Sequence, residues 1–180
     1  MRTSPLVIPP PASDSDFVDV LRLVFARYKH FIEESGGWKL LWNDGNRREK
    51  PEEAAQLLFK GVAQSYCVAN NIVIDREVNL GTGLVDFKFS NGYRRRAHLE
   101  VKKLHNGKFW HGLSAQLPTY LRSDECDLGW YVVVQYHDGG SSKGWLTDGP
   151  EIVSQVALEN GLRLQAVNID GRPRLSASKL

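Results

Sequence analysis

Three charged side chains fall in two neighbouring strand-like segments, "LVDFKF" and "HLEVKK". Successive side chains of a strand point to opposite faces, so Asp86 points away from its apolar neighbours, and Glu100 and Lys102 share one face. The Asn91-Gly92 turn signal between the segments predicts a pairing that places Asp86 beside the other two residues. We therefore expect two carboxylates and one amine on the charged face of a sheet.

This combination of side chains is suited to metal-assisted chemistry on phosphate. Two neighbouring carboxylates repel each other, and a hard divalent cation such as Mg²⁺ relieves that repulsion with oxygen ligands. Such a metal polarises a phosphoryl oxygen and activates a water, and Lys102 is placed to orient or deprotonate that water or to neutralise charge on the phosphate. An ordinary ion pair between Glu100 and Lys102 on a solvated sheet face has the same spacing. Spacing alone leaves both interpretations open.

Two helices are predicted before these strands. The first lies in "SDSDFVDVLRLVFARYKHFIEESGG", between a Ser or Asp cap and a closing Gly36. The second lies in "KPEEAAQLLFKGVAQSYCVANN", where Pro51 suits the first turn. Asp44-Gly45, between them, predicts a turn within a short hairpin.

The remaining elements alternate between strands and helices. A third helix is predicted in "HGLSAQLPTYLRSDE", which Pro118 either starts or kinks, and a fourth in "DGPEIVSQVALENG". The order of elements predicts an α/β fold in which α-helices flank a central mixed β-sheet. Strands are predicted in "NIVIDREVNLGTG", "LVDFKFS", "RRAHLEVKKL", "LGWYVVVQY" and "LRLQAVNID".

Length and composition narrow the class of protein. The 180 residues fit one domain, placed at residues 14–180 after a flexible Pro-rich leader at 1–13. The net charge of +2 does not by itself indicate a nucleic-acid-binding protein. No apolar run is long enough to span a membrane, and the N-terminus lacks the apolar segment of a signal peptide. With Cys67 and Cys126 far apart and expected to be reduced, these features predict a cytoplasmic protein.

The motif formed by these residues resembles that of the PD-(D/E)xK nuclease superfamily, which includes type II restriction enzymes and many repair nucleases. The aspartate of the motif corresponds to Asp86 in "VDF", and the second part corresponds to "EVK", with Glu100 and Lys102. Val85 stands where the proline of the family name is expected, a position that varies within the superfamily. The segment is especially similar to bacterial restriction-type nuclease domains of defence-related proteins. The resemblance implies a restriction-endonuclease-like core.

The resemblance also implies roles for the central residues. Asp86 and Glu100 would be ligands of one or two Mg²⁺ ions, with Mn²⁺ as a substitute. The main-chain carbonyl of Val101 would be a further ligand. Lys102 would orient or activate the attacking water.

Two flanking helices extend the resemblance. The preceding helix of the family often supplies an acid to the metal cluster, and Glu52 is the candidate here, although Glu53 could equally turn inward. In one branch of the family the following helix carries a glutamine and a tyrosine one turn apart, which correspond to Gln116 and Tyr120 in "QLPTY". These two residues would support the site or position the nucleic-acid strand.

The implied substrate is DNA, with RNA not excluded, cleaved in restriction, anti-phage defence or repair. Seven Lys or Arg and one acid fall between Lys88 and His111, which fits either a solvated face or a footprint for phosphates. Cutting both strands of a duplex would require a homodimer or a larger complex. The candidates for phosphate contacts are Arg94, Arg95, Arg96 and Lys103.

Other chemistries find less support in the sequence. His98, His105 and His111 lie close together but have no zinc-motif spacing. Neither a nucleophile elbow nor a phosphate-binding P-loop is present. The serious alternative is a catalytically inactive module of the same fold that binds nucleic acid or protein. Two carboxylates near a phosphate would disfavour such binding without a metal.

Overall fold

A computed structural model of the protein describes residues 10–138 and 144–174. Residues 1–9 of the predicted leader lie outside the described part, and Ser13 caps the first helix through a capping box with Asp16. The helices are α1 (Asp14–Glu33), α2 (Glu52–Ala69), α3 (Phe109–His111), α4 (Leu117–Ser123) and α5 (Trp145–Asn160). A 3₁₀ turn (Gly37–Leu41) follows α1, and a π-helical turn (Gly112–Gln116) joins α3 to α4.

Seven strands occur within the described residues: β1 (Trp42–Asn43), β2 (Arg48–Glu49), β3 (Val73–Asn79), β4 (Leu84–Asn91), β5 (Arg95–Lys103), β6 (Leu128–Gln135) and β7 (Arg163–Asp170). Strands β1 and β2 form the short hairpin predicted at Asp44-Gly45. The other five form one sheet in the order β3-β4-β5-β6-β7. Strands β3, β4 and β5 are antiparallel, whereas β5, β6 and β7 are parallel. The predicted mixed sheet of an α/β fold is confirmed.

Helices cover both faces of the sheet. On one face α1 and α2 pack over a core that includes Phe59, Phe87, Leu99 and Trp130, all of which are buried. On the other face α3, α4 and α5 pack over a second core with Tyr131. The burial of strand β6 on both faces explains its continuous apolar sequence.

Several smaller predictions can be compared with the structure. Helix α1 ends at Glu33, three residues before Gly36, and Gly36 instead precedes the 3₁₀ turn with a positive φ of 80°. Gly161, with a φ of 64°, closes α5 as a left-handed cap. Cys67 and Cys126 are free thiols. No helix of the described residues has the length and apolar character needed to cross a membrane.

Candidate active site

The centre of the candidate site lies where strands β4 and β5 separate. Their ladder pairs Phe87 with Leu99 and stops there, one position before Asp86 would meet Glu100. The main-chain N–H of Val101 instead donates a hydrogen bond of 2.7 Å to the carboxylate of Asp86. The side chain of Asp86 therefore replaces a strand partner, and its carboxylate is fixed against the backbone of β5.

Glu100 and Lys102 lie on the same face of β5, as the alternation of side chains predicts, and both are buried. The Lys102 Nζ lies 2.7 Å from Glu100 Oε1 and 3.5 Å from Glu52 Oε1. Glu100 is only 2% exposed. Its second oxygen, Oε2, is buried and has no hydrogen-bond partner in the described part of the chain. The Lys102 ammonium is thus shared by the carboxylates of Glu100 and Glu52, and one oxygen of Glu100 is left without a partner among the described residues.

This charge imbalance shifts the pKa values of the site. Burial raises the pKa of Glu100 to about 8, and the neighbouring charge of Asp86 adds to the effect. Burial raises the pKa of Asp86 to about 6, although the Val101 N–H stabilises its ionised form. Burial by itself would lower the pKa of Lys102, but Glu100 and Glu52 outweigh it and hold the pKa above its ordinary value. The lysine is therefore a cation, and burial of the two acids opposes their ionisation at a free-energy cost.

The structure distinguishes the two candidate acids of helix α2. Glu52 turns toward the site, where its Oε2 accepts hydrogen bonds from the Lys103 N–H at 3.0 Å and the Asn106 side chain at 3.2 Å. Glu53 is exposed and pairs with Arg76 on another side of the helix. Glu52 is therefore the α2 acid that joins Asp86 and Glu100.

Gln116 and Tyr120 lie beside this cluster at the junction of the π-helical turn and α4. They line an open cleft of about 230 Å³ together with Thr82, His111, Ala115 and Thr119. The Gln116 Oε1 is buried and without a hydrogen-bond partner among the described residues. Gly83 approaches the tyrosine closely, since a Cβ at this position would lie 2.9 Å from the Tyr120 hydroxyl. Pro118 is tolerated because it falls in the first turn of α4.

Three of the four predicted phosphate-contact residues are engaged within the chain. Arg95 donates to the Asn91 side chain and the Ala12 carbonyl, and Arg96 donates to Asp124. The Lys103 Nζ lies 2.8 Å from Glu49. Arg94 is exposed. Arg95 begins β5, so it lies about 20 Å along the strand from Lys102.

Some polar contacts in this region have no local sequence signal. His98 is fully buried, and its Nε2 lies 2.9 Å from Asp124, which also binds Lys88 and Arg96. The contact between His98 and Asp124 spans 26 positions of the chain. Alternation along β5 places His98 on the same face as Glu100, but only the fold supplies its partner.

Three tryptophans and the three clustered histidines of the sequence lie in different surroundings. Trp130 and Trp145 are buried in the core, whereas Trp110 is 38% exposed. His98, His105 and His111 do not form a common site: His105 contacts Glu49 at 2.9 Å, and His111 lines the cleft beside Tyr120.

Comparison with known proteins gives one match. No curated protein and no solved structure matches the chain. The family described as "Domain of unknown function (DUF8371)" matches residues 17–138. This span covers more than half of the 180 residues and includes Asp86, Glu100, Lys102 and Glu52, together with Gln116 and Tyr120. The chain therefore belongs to the DUF8371 family, a domain of unknown function.

Proposed function

We propose that the protein is a metal-dependent nuclease that hydrolyses phosphodiester bonds in DNA. One observation carries the proposal. Carboxylates from three different elements, α2, β4 and β5, lie near the point where two strands separate; Lys102 contacts those of Glu52 and Glu100, and the Val101 N–H donates to that of Asp86. This arrangement is costly without a cation, and it supports the restriction-endonuclease-like core that the motif implies.

The residues present fit a hard divalent metal. The unpaired Glu100 Oε2 and the excess of carboxylate over ammonium are the features that a cation would satisfy. Asp86, Glu100, Glu52 and the main-chain carbonyl of Val101 would hold Mg²⁺ or Mn²⁺. When bound, such a metal supplies a polarised phosphoryl oxygen and an activated water.

The chain's own side chains would then position the substrate. The Lys102 ammonium would orient the attacking water and neutralise charge that develops on the phosphate. Gln116 and Tyr120 would contact the nucleic acid from the cleft that they line. Because Asp86 and Glu100 stand on paired strands, their carboxylates are held more accurately than loop residues would be.

The proposal is tested by cleavage of supercoiled plasmid and single-stranded DNA with Mg²⁺, Mn²⁺ or a chelator. We expect metal-dependent cleavage, and Lys102→Met should lower the rate by about 10²–10⁴-fold, the range of one positioned proton-transfer or charge-stabilising group. Glu52→Gln should also impair cleavage. Glu53→Gln is its matched control, since the neighbouring acid faces Arg76, and this variant should retain the wild-type rate.

Cleavage that is insensitive to a chelator, or equal loss in the Glu52→Gln and Glu53→Gln variants, would contradict the assignment of the site. DNA binding without cleavage, strengthened by Glu100→Gln, would favour the inactive binding module instead. An RNA substrate in the same assay separates a deoxyribonuclease from a ribonuclease. Sedimentation of the protein with and without DNA tests whether a dimer or a larger complex is needed for two-strand cutting.

A further inference from the structure

A second group of ligand-type side chains lies at the ends of strands β5 and β6. Glu49 comes from β2, His105 follows β5, and His137 follows β6. The His105 Nε2 lies 2.9 Å from Glu49 Oε1, and the His137 Nε2 lies 2.9 Å from Glu49 Oε2. The three potential ligand atoms all lie within 4.8 Å of one another.

The spacing of these atoms suits a transition metal. A tetrahedral Zn²⁺ with bonds of about 2.0–2.1 Å holds its ligand atoms about 3.3 Å apart. The observed separations need only small movements to reach that arrangement. Two imidazoles and one carboxylate leave a fourth position for water or an exogenous ligand, and His137 borders an open cleft of about 500 Å³ from which such a ligand can arrive.

The side chains around the cluster hold its members in place. The His137 ring packs edge-on against Trp42 at 5.5 Å between centroids, and the His105 ring packs edge-on against Tyr136 at 6.2 Å. Lys103 donates to Glu49 Oε1 at 2.8 Å and so fixes the carboxylate from outside. Outer contacts of this kind orient the ligands in metal sites.

Simple charge pairing does not require this arrangement. Glu49 already has Lys103 as its counter-ion, so neither histidine is needed to neutralise it. Both histidines nevertheless present the same ring nitrogen to the carboxylate, from two separate loops. The ligand set also differs from that of the Asp86 and Glu100 cluster, where every candidate ligand is an oxygen.

We propose that Glu49, His105 and His137 form a separate site for Zn²⁺ or another divalent transition metal. The ion ties the β1–β2 hairpin to the loops that follow β5 and β6. Imidazole ligands select transition metals over Mg²⁺. This inference does not depend on the proposed nuclease activity.

The test is a calorimetric titration of Zn²⁺ into the Glu100→Gln variant, in which the carboxylate cluster is weakened. We expect one tightly bound Zn²⁺ per chain. His105→Ala and His137→Ala should each weaken binding at least tenfold, since loss of even an outer contact costs about 10–100-fold. His111→Ala is the matched control: this histidine lines the other cleft, and its loss should leave the affinity unchanged.

Thermal unfolding and cobalt absorption test metal binding at the same cluster by independent means. Zn²⁺ should raise the melting temperature of the Glu100→Gln variant that is used for the titration. It should not raise the melting temperature when His105→Gln or His137→Gln is added, although these changes retain polar side chains of similar size. Co²⁺ bound in place of Zn²⁺ should give the visible absorption of four-coordinate cobalt. Binding weaker than about 100 μM, or binding that is unchanged in both histidine variants, would overturn the proposal.

Discussion

Replacement of Glu100 by glutamine should stabilise the metal-free protein at alkaline pH. The folded chain raises the pKa of this carboxyl from 4.5 to about 8, because the side chain is buried beside the charge of Asp86. Between these two pH values the folded state holds a proton that the unfolded state has released. The free energy of unfolding of the wild type therefore falls as the pH rises through this window. Glutamine carries no charge, so the variant is free of this contribution.

The magnitude follows from the same shift. Full ionisation of Glu100 above pH 8 costs the fold about 5 kcal/mol. The contact of Lys102 with Glu100 Oε1 is already part of this shift, because it favours the ionised carboxylate and lowers the pKa. We expect a gain of about 3–5 kcal/mol at pH 8.5, which corresponds to about 10–15 °C in melting temperature for a domain of this size.

The assay is thermal and urea unfolding in a chelator at several values between about pH 4 and pH 8.5, the window in which the two proteins should diverge. Below about pH 4.5 residue 100 is uncharged in the folded and unfolded states of both proteins, so the pH-dependent advantage of the variant should vanish. Saturating Mg²⁺ should then stabilise the wild type by about 3 kcal/mol at 100 times Kd, and should have little effect on the variant. Glu53→Gln, which alters an exposed acid, should remain within about 0.5 kcal/mol of wild type. A variant that is less stable than wild type at pH 8.5 without metal would refute the reasoning.

Two other changes test the surroundings of the site. Asp124→Asn should destabilise the fold by about 2–4 kcal/mol at neutral pH, since Lys88 and Arg96 lose their shared carboxylate and the fully buried His98 loses a charge-assisted hydrogen bond. Burial opposes ionisation of Asp124, but its partners outweigh burial and lower its pKa, so this contribution is present above about pH 4 and is lost as the pH falls further. Urea unfolding at pH 7 and pH 3 should therefore show a smaller acid sensitivity in the variant, and an unchanged sensitivity would contradict the assignment. Gly83→Ala should cost about 1–3 kcal/mol more than Gly81→Ala, because both positions have positive φ but only the first places a Cβ against Tyr120. Equal melting temperatures of these two variants would argue against the close approach.

The charged face of the sheet was predictable because side-chain alternation is a local property. Asp86, Glu100 and Lys102 needed only the two strands and the turn between them, and the structure pairs these strands as expected. The choice between Glu52 and Glu53 was not predictable in the same way. Both acids occupy the first turn of α2, where the helix dipole favours either one. Only the tertiary contacts with Lys102 and Lys103 decide between them.

The second cluster shows the limit of local patterns more clearly. Glu49 is 56 positions from His105 and 88 from His137 in the chain. Because β5 and β6 are parallel, the two loops that carry the histidines leave the sheet at the same end, beside the carboxyl ends of these strands. Sequence spacing grouped His105 with His98 and His111 instead, which the structure places in different surroundings. The partners of a loop residue follow from strand order, which is the part of a topology that local signals define least.

The π-helical turn between α3 and α4 restricts how the length of this segment can vary. A π turn holds more residues than an α turn, so Gly112–Gln116 accommodates one residue more than a continuous α-helix would between the same two ends. If the segment closed as an α-helix without losing a residue, the two ends would change phase by about 100°, the rotation of one α-helical residue. Either Phe109 would then leave the core or Tyr120 would leave the cleft. Proteins that share this site should therefore keep the π turn together with this length, or lose one residue together with the π turn.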